Sequence, residues 1–521
     1  MSDLVLLGTI MDGTGSTPFA GWVAVEADRI VRVGRLEEPA PQASRTIGGD
    51  NVVVAPGFVD VHNHSDLSPF LLPEMPSTVR MGVTTVVVGN CGSSPWPLAA
   101  WDEAVSLAYG SPGDLDEPTW SGWRDYLSAI DRAHPAVNIA TLVGHGSVRR
   151  EVLGAERRAP SATELNRMCG LVREAIADGA IGVSTGLIYV PGIFSETDEI
   201  VALASAAASA GGLYASHIRG EGRDLFAAIG EALEIGMRAS APVHVSHLKC
   251  ESARVWGRAS ELLAVLREAP DATGDQYPYA AWNSALASLL PPWASVDEVA
   301  AIAASEGGRL RAAVEHGEPG FQSSIDGVGW ERIVLVTAPR DEWRGRDVAA
   351  VANDLELDAF DAFVALLDID PEISCIGHAM DDADVRTILG DPDVFVASDA
   401  SATAPDGPGG TLPVHPRDYG TFPRALATAR DDGLLPLEVM VRKMTALPAE
   451  RFGLRDRGCL SPGAFADVTV FDPSTINDEA TFADPHRFPA GFAAIVVNGT
   501  VAWEPGAQQI TRAGRALRRS S

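Results

Sequence analysis

Six side chains in this sequence could hold a metal ion or work beside one: His62, His64, Cys91, His217, His247 and Asp399. Each ends a short apolar run of β type, in residues 57–64 (GFVDVHNH), 84–91 (TTVVVGNC), 213–217 (LYASH), 243–247 (VHVSH) and 394–399 (VFVASD). Imidazole and thiolate are ligands that zinc favours, and parallel barrels gather their catalytic groups at the C-terminal ends of their strands. His62 and His64 lie two apart, so both rings, with Asp60 before them, are expected on one face of a strand. Taken singly, the members carry little weight. A lone histidine such as His217 or His247 is commonly a hydrogen-bonded core residue. His244 has the opposite parity to His247 and reads as structural. Cys91 alone reads as a small core residue, yet GNCG surrounds it with turn formers that would expose a thiolate able to bridge two divalent ions. Asp399 alone reads as a turn or cap residue; beside a metal-activated water it could take a proton and pass it to a leaving amine. The ordered set, rather than any member, points to metal-dependent hydrolysis.

The elements that must position these residues are β runs alternating with helical stretches, the signature of parallel strands with helical crossovers. The clearest helix is 161–178 (SATELNRMCGLVREAIAD), with a capping box from Ser161 and Glu164 and a stop at Gly179. Strand candidates are 57–64, 84–89, 138–143, 180–184, 213–217, 243–247, 273–277, 373–377 and 394–399. That is one more than an eight-stranded barrel needs, and the pattern does not say which is extra. A stretch of about 286–349 reads as a subdomain inserted near the site. Both ends of the chain are β-rich, with Asn498-Gly499 between two apolar runs as a hairpin signal. Neither end has enough apolar residues for a core of its own, so 1–55 and 456–521 are expected to pair into one small β-sandwich, with 56–455 forming the barrel.

The 521 residues suit two domains or one large barrel with appendages. The net charge of −30 excludes a nucleic-acid partner, which would require a basic surface. Five scattered cysteines form no disulfide framework and fit a reducing, cytoplasmic compartment. The N-terminus has no basic region typical of a secretory signal, and no apolar run has the length of a membrane span. A small-molecule partner and no membrane are therefore expected; a homo-oligomer is left open.

The motifs APGFVDVHNHSD, GVTTVVVGNCG, GAIGVSTGLIYVPG, YASHIRGEG, VHVSHLK and HPRDYGTFPR, and the closing RKMTALPAERFGLRDRGCLSPGAFADVTVFDP, resemble the N-acyl-D-amino-acid deacylases (D-aminoacylases) of the amidohydrolase superfamily. The resemblance covers nearly the whole chain with its motifs in order. It implies an α/β fold, a TIM-like (β/α)8 barrel with a small β-sandwich formed by both termini. It implies one tight Zn2+ site at Cys91, His217 and His247 and a second, weaker divalent position at His62 and His64. Cys91 takes the bridging place that a carboxylated lysine fills in many relatives. Asp399 corresponds to the catalytic acid/base, and Lys249 to a lysine that holds the substrate carboxylate, with Tyr279 and Arg417 as partners. The implied reaction cleaves the amide of an N-acyl-D-amino acid to a carboxylate and a free D-amino acid. An enzyme for another linear or cyclic amide, hydantoinase- or dihydroorotase-like, is the alternative, against which Cys91 argues; a catalytically silent scaffold would have lost ligands that are all present here. Gly220 stands where an acidic residue is expected, and Cys250-Glu251-Ser252 replaces a small, Gly-containing continuation. The Pro/Gly-rich loop 401–414 (SATAPDGPGGTLPV) follows Asp399 and is expected to shape access.

Overall fold

The structure is a computed structural model that describes residues 2–97, 120–407, 410 and 414–519. Strands β1 (Ser2–Ile10), β2 (Phe19–Glu26) and β3 (Arg29–Arg35) make an antiparallel meander, and β4 (Ala43–Pro56) returns parallel to β1. Then β5 (Phe58–Asp60), β6 (Val83–Val88), β7 (Asn138–Gly144), β8 (Gly182–Gly186), β9 (Leu213–His217), β10 (Val243–Val245) and β11 (Ala272–Gln276) follow one another in parallel. Next, β12 (Trp282–Ala285), β13 (Ile333–Leu335) and β14 (Ser374–Gly377) form a separate antiparallel sheet, after which β15 (Phe395–Val396) pairs with β11. Last, β16 (Val468–Phe471), β17 (Phe492–Val497) and β18 (Thr500–Trp503) join the first sheet, β16 lying antiparallel to β4.

Eight parallel strands thus form a TIM-like barrel. It closes where β5 and β15 end: the His64 N–H donates to Ala400 O and the Asp399 N–H to His62 O, both at 2.8 Å. Strand side chains divide by parity. Val59, Val87, Ala140, Leu142, Leu213, Ala215 and Phe395 share an interior core with Phe452 and Leu454, which lie beyond the helix Ala446–Arg451. Phe58, Val86, Val88, Ile139, Tyr214 and Val396 face the helices instead. Alternation between two buried faces explains why these strands read as continuous apolar runs. The helix Ala162–Asp178 starts with the expected capping box and stops at Gly179.

The extra strand candidate is 373–377. It becomes β14, antiparallel to β12 and β13, and its Cys375 packs in a second core running from Tyr277 to Val385. The expected insertion at 286–349 is therefore part of a wider unit. Tyr277, the first residue of that second core, directly continues a barrel strand, so the sequence does not mark where the unit begins.

Both ends of the chain share one seven-stranded sheet, with β4 between β1 and β16. Leu4, Leu6, Val23, Val25, Val54, Val468, Val470 and Val496 pack on its inner side. Phe471, Phe492, Ile495 and Val497 turn the other way, into the core shared with the barrel helices. The Asn498-Gly499 turn joins β17 to β18 with φ of 47° and 79°, the left-handed pair that such a hairpin requires. Asn498 also ties sheet to barrel. Its Nδ2 donates to Asn138 Oδ1 at 2.8 Å, and its Oδ1 accepts from Arg457 at 3.0 Å. Arg457 in turn pairs with buried Asp467. Removing one partner of a buried pair strands the other charge. Asp467→Ala should therefore lower stability in a urea titration by about 3–5 kcal/mol, and Arg457→Met with Asp467→Leu should cost less than the single change. A loss under about 1 kcal/mol in Asp467→Ala would mean the pair does not hold the sheet.

Candidate metal centre

Cys91 sits at the mouth of the barrel, just past β6, where backbones cross at contact distance. A Cβ on Gly186 would lie 2.0 Å from Cys91 O, and one on Gly92 would lie 2.6 Å from Gly186 N. The chain then turns sharply: Cys91 has φ of 52°, and His247 and Asp399, also at strand exits, have 36° and 52°. Left-handed backbone at three non-glycine residues of one cluster is strain of the kind that collects at functional sites.

The turn aims the thiol at three imidazoles. Cys91 Sγ is 3.3 Å from His62 Nε2, 3.5 Å from His217 Nδ1 and 3.7 Å from His247 Nε2. Zinc bonds of about 2.0–2.1 Å to nitrogen and 2.3 Å to sulfur, at tetrahedral angles, place N and S about 3.5 Å apart. The sulfur–nitrogen separations match; His217 Nδ1 and His247 Nε2, at 2.8 Å, are closer than two ligands of one ion would be. Donor atoms of His62, Cys91, His247 and Asp399 all lie within 4.8 Å of one another. His64 stands at the rim: its ring centroid is 5.3 Å from that of His62 and its Nε2 is 3.1 Å from Asp399 Oδ1. The donor set fits a divalent ion.

Electrostatics agree. Burial opposes the Cys91 thiolate, but His62 and the hydrogen bonds from His217 and His247 hold the thiol well below its usual range. Burial likewise disfavours a charged His64, yet Asp399 and Cys91 raise it to about 10. The cluster calls for positive charge at its centre. Asp399 carries its charge easily, because Arg417 and His62 outweigh the cost of burial.

Behind the rings stand carboxylates that orient them. Glu221 Oε1 is 2.9 Å from His247 Nδ1, and its Oε2 is 3.7 Å from His217 Nε2. Asp275 Oδ2 lies 3.5 Å from His62 Nδ1 and 2.8 Å from His244 Nε2, while its Oδ1 accepts the His247 N–H at 2.9 Å. His244 is thus structural, as expected, and stacks on Phe395 inside the barrel. Asp60 does not join the imidazoles. It accepts from the Ser398 N–H at 2.9 Å and from Asn63 Nδ2 at 2.9 Å, because β5 ends at Asp60 and its alternation does not carry on to His62.

Lys249 and Arg417 lie over this centre. Lys249 Nζ is 2.7 Å from Glu221 Oε1, and Arg417 NH1 is 2.7 Å from Asp399 Oδ2. Both cations face the ring of Tyr277, at 5.8 and 4.7 Å, and the buried Tyr277 hydroxyl has no hydrogen-bond partner. Tyr279, expected beside them, is elsewhere: its hydroxyl donates to Asp478 Oδ2 at 2.8 Å. Pro278 carries the chain past the mouth, so the residue that meets both cations is the tyrosine two positions earlier. Tyr189 also reaches the site, its ring edge-on to His217 at 5.1 Å. Sequence reasoning missed Glu221, Asp275, Tyr277 and Tyr189. The usable signals were the acid four residues after His217 and the Asp and Tyr closing the run 273–277.

The two departures meet the insertion. Gln322 Oε1 accepts the Gly222 and Asp224 N–H groups at 3.1 Å and fills the space a Cβ at Gly220 would need. Ser252 Oγ donates to Asp326 O at 2.7 Å. Within the loop 401–414, residues 408, 409 and 411–413 lie outside the described residues.

An amidohydrolase family model matches residues 46–334 and 384–502. A D-aminoacylase from Alcaligenes xylosoxydans xylosoxydans is 36% identical, the match covering 100% of this chain and 98% of that protein. An N-acyl-D-glutamate deacylase from the same organism is 35% identical, over 100% and 97%. The crystal structure of an N-acyl-D-glutamate deacylase from Bordetella bronchiseptica, complexed with zinc and a phosphonate inhibitor, superposes with a TM-score of 0.81 at 32% identity, covering 99% of each chain.

If Cys91 is central to metal binding, Cys91→Ala should lose most of its bound zinc by elemental analysis while keeping the far-UV spectrum of the parent. Unchanged zinc content in that variant would remove the thiol from the site.

Proposed function

Because the chain belongs to the N-acyl-D-amino-acid deacylases of the amidohydrolase family, we propose that it hydrolyses the amide bond of N-acyl-D-amino acids. One observation carries the reading: a cysteine among three imidazoles, with Asp399 at 3.3 Å from His62 and two cations over a single tyrosine ring. Cys91, His217 and His247 would hold a tight zinc ion, and His62 and His64 a second, weaker divalent ion. Such an ion supplies Lewis acidity and makes water acidic enough to serve as a nucleophile near neutral pH.

The chain's own groups do the rest. Asp399 accepts the proton of the attacking water and returns it to the departing amine nitrogen. Lys249, Arg417 and the Tyr277 hydroxyl take the α-carboxylate, two of them as charged donors. Arg417 rests on Asp399 in this structure; a carboxylate that draws it away leaves Asp399 freer to accept a proton. With carboxylate and carbonyl both fixed, the two enantiomers direct their side chains differently, which is what lets such a site select one of them. Lys249 and Lys443 are the only lysines of the chain, and Lys443 is buried against Leu389 O. Neither stands at the Cys91 position, so the carboxylated-lysine bridge of cyclic-amide relatives has no counterpart here. All five cysteines are free, which accords with a cytoplasmic location. Among the described residues, no helix is long and apolar enough to cross a membrane.

Asp399→Asn should retain zinc and fold while kcat falls by about 100-fold or more; near-normal turnover would exclude it as acid/base. Lys249→Ala should raise KM for N-acetyl-D-amino acids far more than it lowers kcat. An equal loss on an uncharged amide would show that the lysine does not hold a carboxylate.

A further inference from the structure

One relative is a D-aminoacylase and another an N-acyl-D-glutamate deacylase, and overall identities of 36% and 35% do not choose between them. The charges around the mouth do. Resting on the deacylase reading above, we propose that this chain takes N-acyl-D-amino acids with uncharged side chains and discriminates against acidic ones.

A second carboxylate on the substrate needs a cation beyond those that bind the first. Among the described residues, the cations over the centre are Lys249 and Arg417, each already matched to a carboxylate, Glu221 and Asp399. Four arginines on the neighbouring loops and helix are also committed, Arg223 among them, donating to His316 O at 3.3 Å. Arg219 pairs with Glu231 at 2.9 Å, Arg254 with Asp326 at 2.8 Å, and Arg424 donates to Pro278 O at 2.8 Å while lying 3.6 Å from Asp478. His415, beside Arg417, is neutral: its Nδ1 accepts the Arg417 N–H at 3.0 Å and its Nε2 donates to Ala281 O at 3.0 Å. Residues 98–119, 408–409 and 411–413 contain neither Lys nor Arg.

Acids, by contrast, are in excess. Glu251, on the loop that carries Lys249, is only 6% exposed, and its backbone N–H donates to Glu221 O at 2.9 Å. Burial and then the charge of Glu221 push Glu251 up to about 7. Asp418 is raised by burial to about 7 in spite of Arg417 next to it, with Asp399 adding to the rise. Both carboxyls are pushed up chiefly by burial, and the cations near them, Lys249 and Arg417, are those that bind the first carboxylate, so a further buried carboxylate there would be left unpaired. Substrate selection by a missing partner is strong because the unmatched group loses its hydration and gains nothing.

The test is a panel of N-acetyl-D-methionine, -D-leucine, -D-glutamate and -D-aspartate, with N-acetyl-L-methionine as control, run on the zinc-loaded enzyme. The expected result is a kcat/KM about 100-fold higher for the neutral D substrates than for either acidic one; a ratio under about tenfold overturns the inference while leaving the deacylase reading intact. Failure to hydrolyse any D substrate would overturn the deacylase reading itself, and the inference with it. Calorimetry on Asp399→Asn separates binding from turnover. N-acetyl-D-methionine should bind it at least about tenfold more tightly than N-acetyl-D-glutamate, and equal affinities count against the proposal. Glu251→Gln should narrow the kcat/KM ratio between D-methionine and D-glutamate substrates; an unchanged ratio in both Glu251→Gln and Asp418→Asn overturns the electrostatic cause.

Discussion

The structure depends on one crowded meeting: a sulfur held within 3.3–3.7 Å of nitrogens from three imidazoles. These come from the ends of β5, β6, β9 and β10, so no single element can satisfy the geometry. The barrel supplies it by letting backbones cross at glycine and by forcing left-handed turns at Cys91, His247 and Asp399. Such turns cost free energy locally and persist because the surrounding strands leave the chain no alternative. Shape at the mouth is therefore set by packing well below it, in the interior column of Phe452, Phe395, His244 and Asp275.

Carboxylates divide the work by depth. Glu221 and Asp275 lie behind the rings and fix which nitrogen of each imidazole faces the thiol. Asp60 lies deeper and serves closure of the barrel, holding Ser398 against β5. Asp399 is the carboxylate that reaches the centre from the front, with Arg417 at its back. Chemically identical groups thus take different tasks according to whether a histidine, a backbone N–H or a guanidinium meets them first.

Much of this was legible in the sequence, for identifiable reasons. Strand-end positions of rare residue types survive translation into structure, since a histidine or cysteine ending an apolar run has few other places to go. The six residues of the centre were readable on that ground, as was the pairing of both termini, because neither end could bury itself. What was not legible depended on where a strand stops. Asp60 and Tyr279 share parity with site residues, yet β5 ends at Asp60 and Pro278 redirects the chain before Tyr279. Residues 373–377 have a barrel strand's composition, and only their antiparallel partners place them in the insertion. Glu221 and Asp275 were hidden among 70 acidic residues, distinguished by position and not by type.

The seven-stranded sheet carries a consequence for how the molecule comes to exist. Strand β4 ends at Pro56, but its antiparallel neighbour β16 begins only at Val468. During synthesis the first four strands emerge early and must wait, with one edge of β4 open, until nearly the whole barrel has left the ribosome. An open edge is a template for pairing with other chains, and long-range pairing is slow. The stretch that waits for β16, Val53–Pro56, is short, and the exposed, polar residues that begin β4, ASRTIGGDN, with two glycines and one charge of each sign, are poorly suited to such capture. The strand that joins the two ends of the protein is built to remain unattractive until its proper partner arrives.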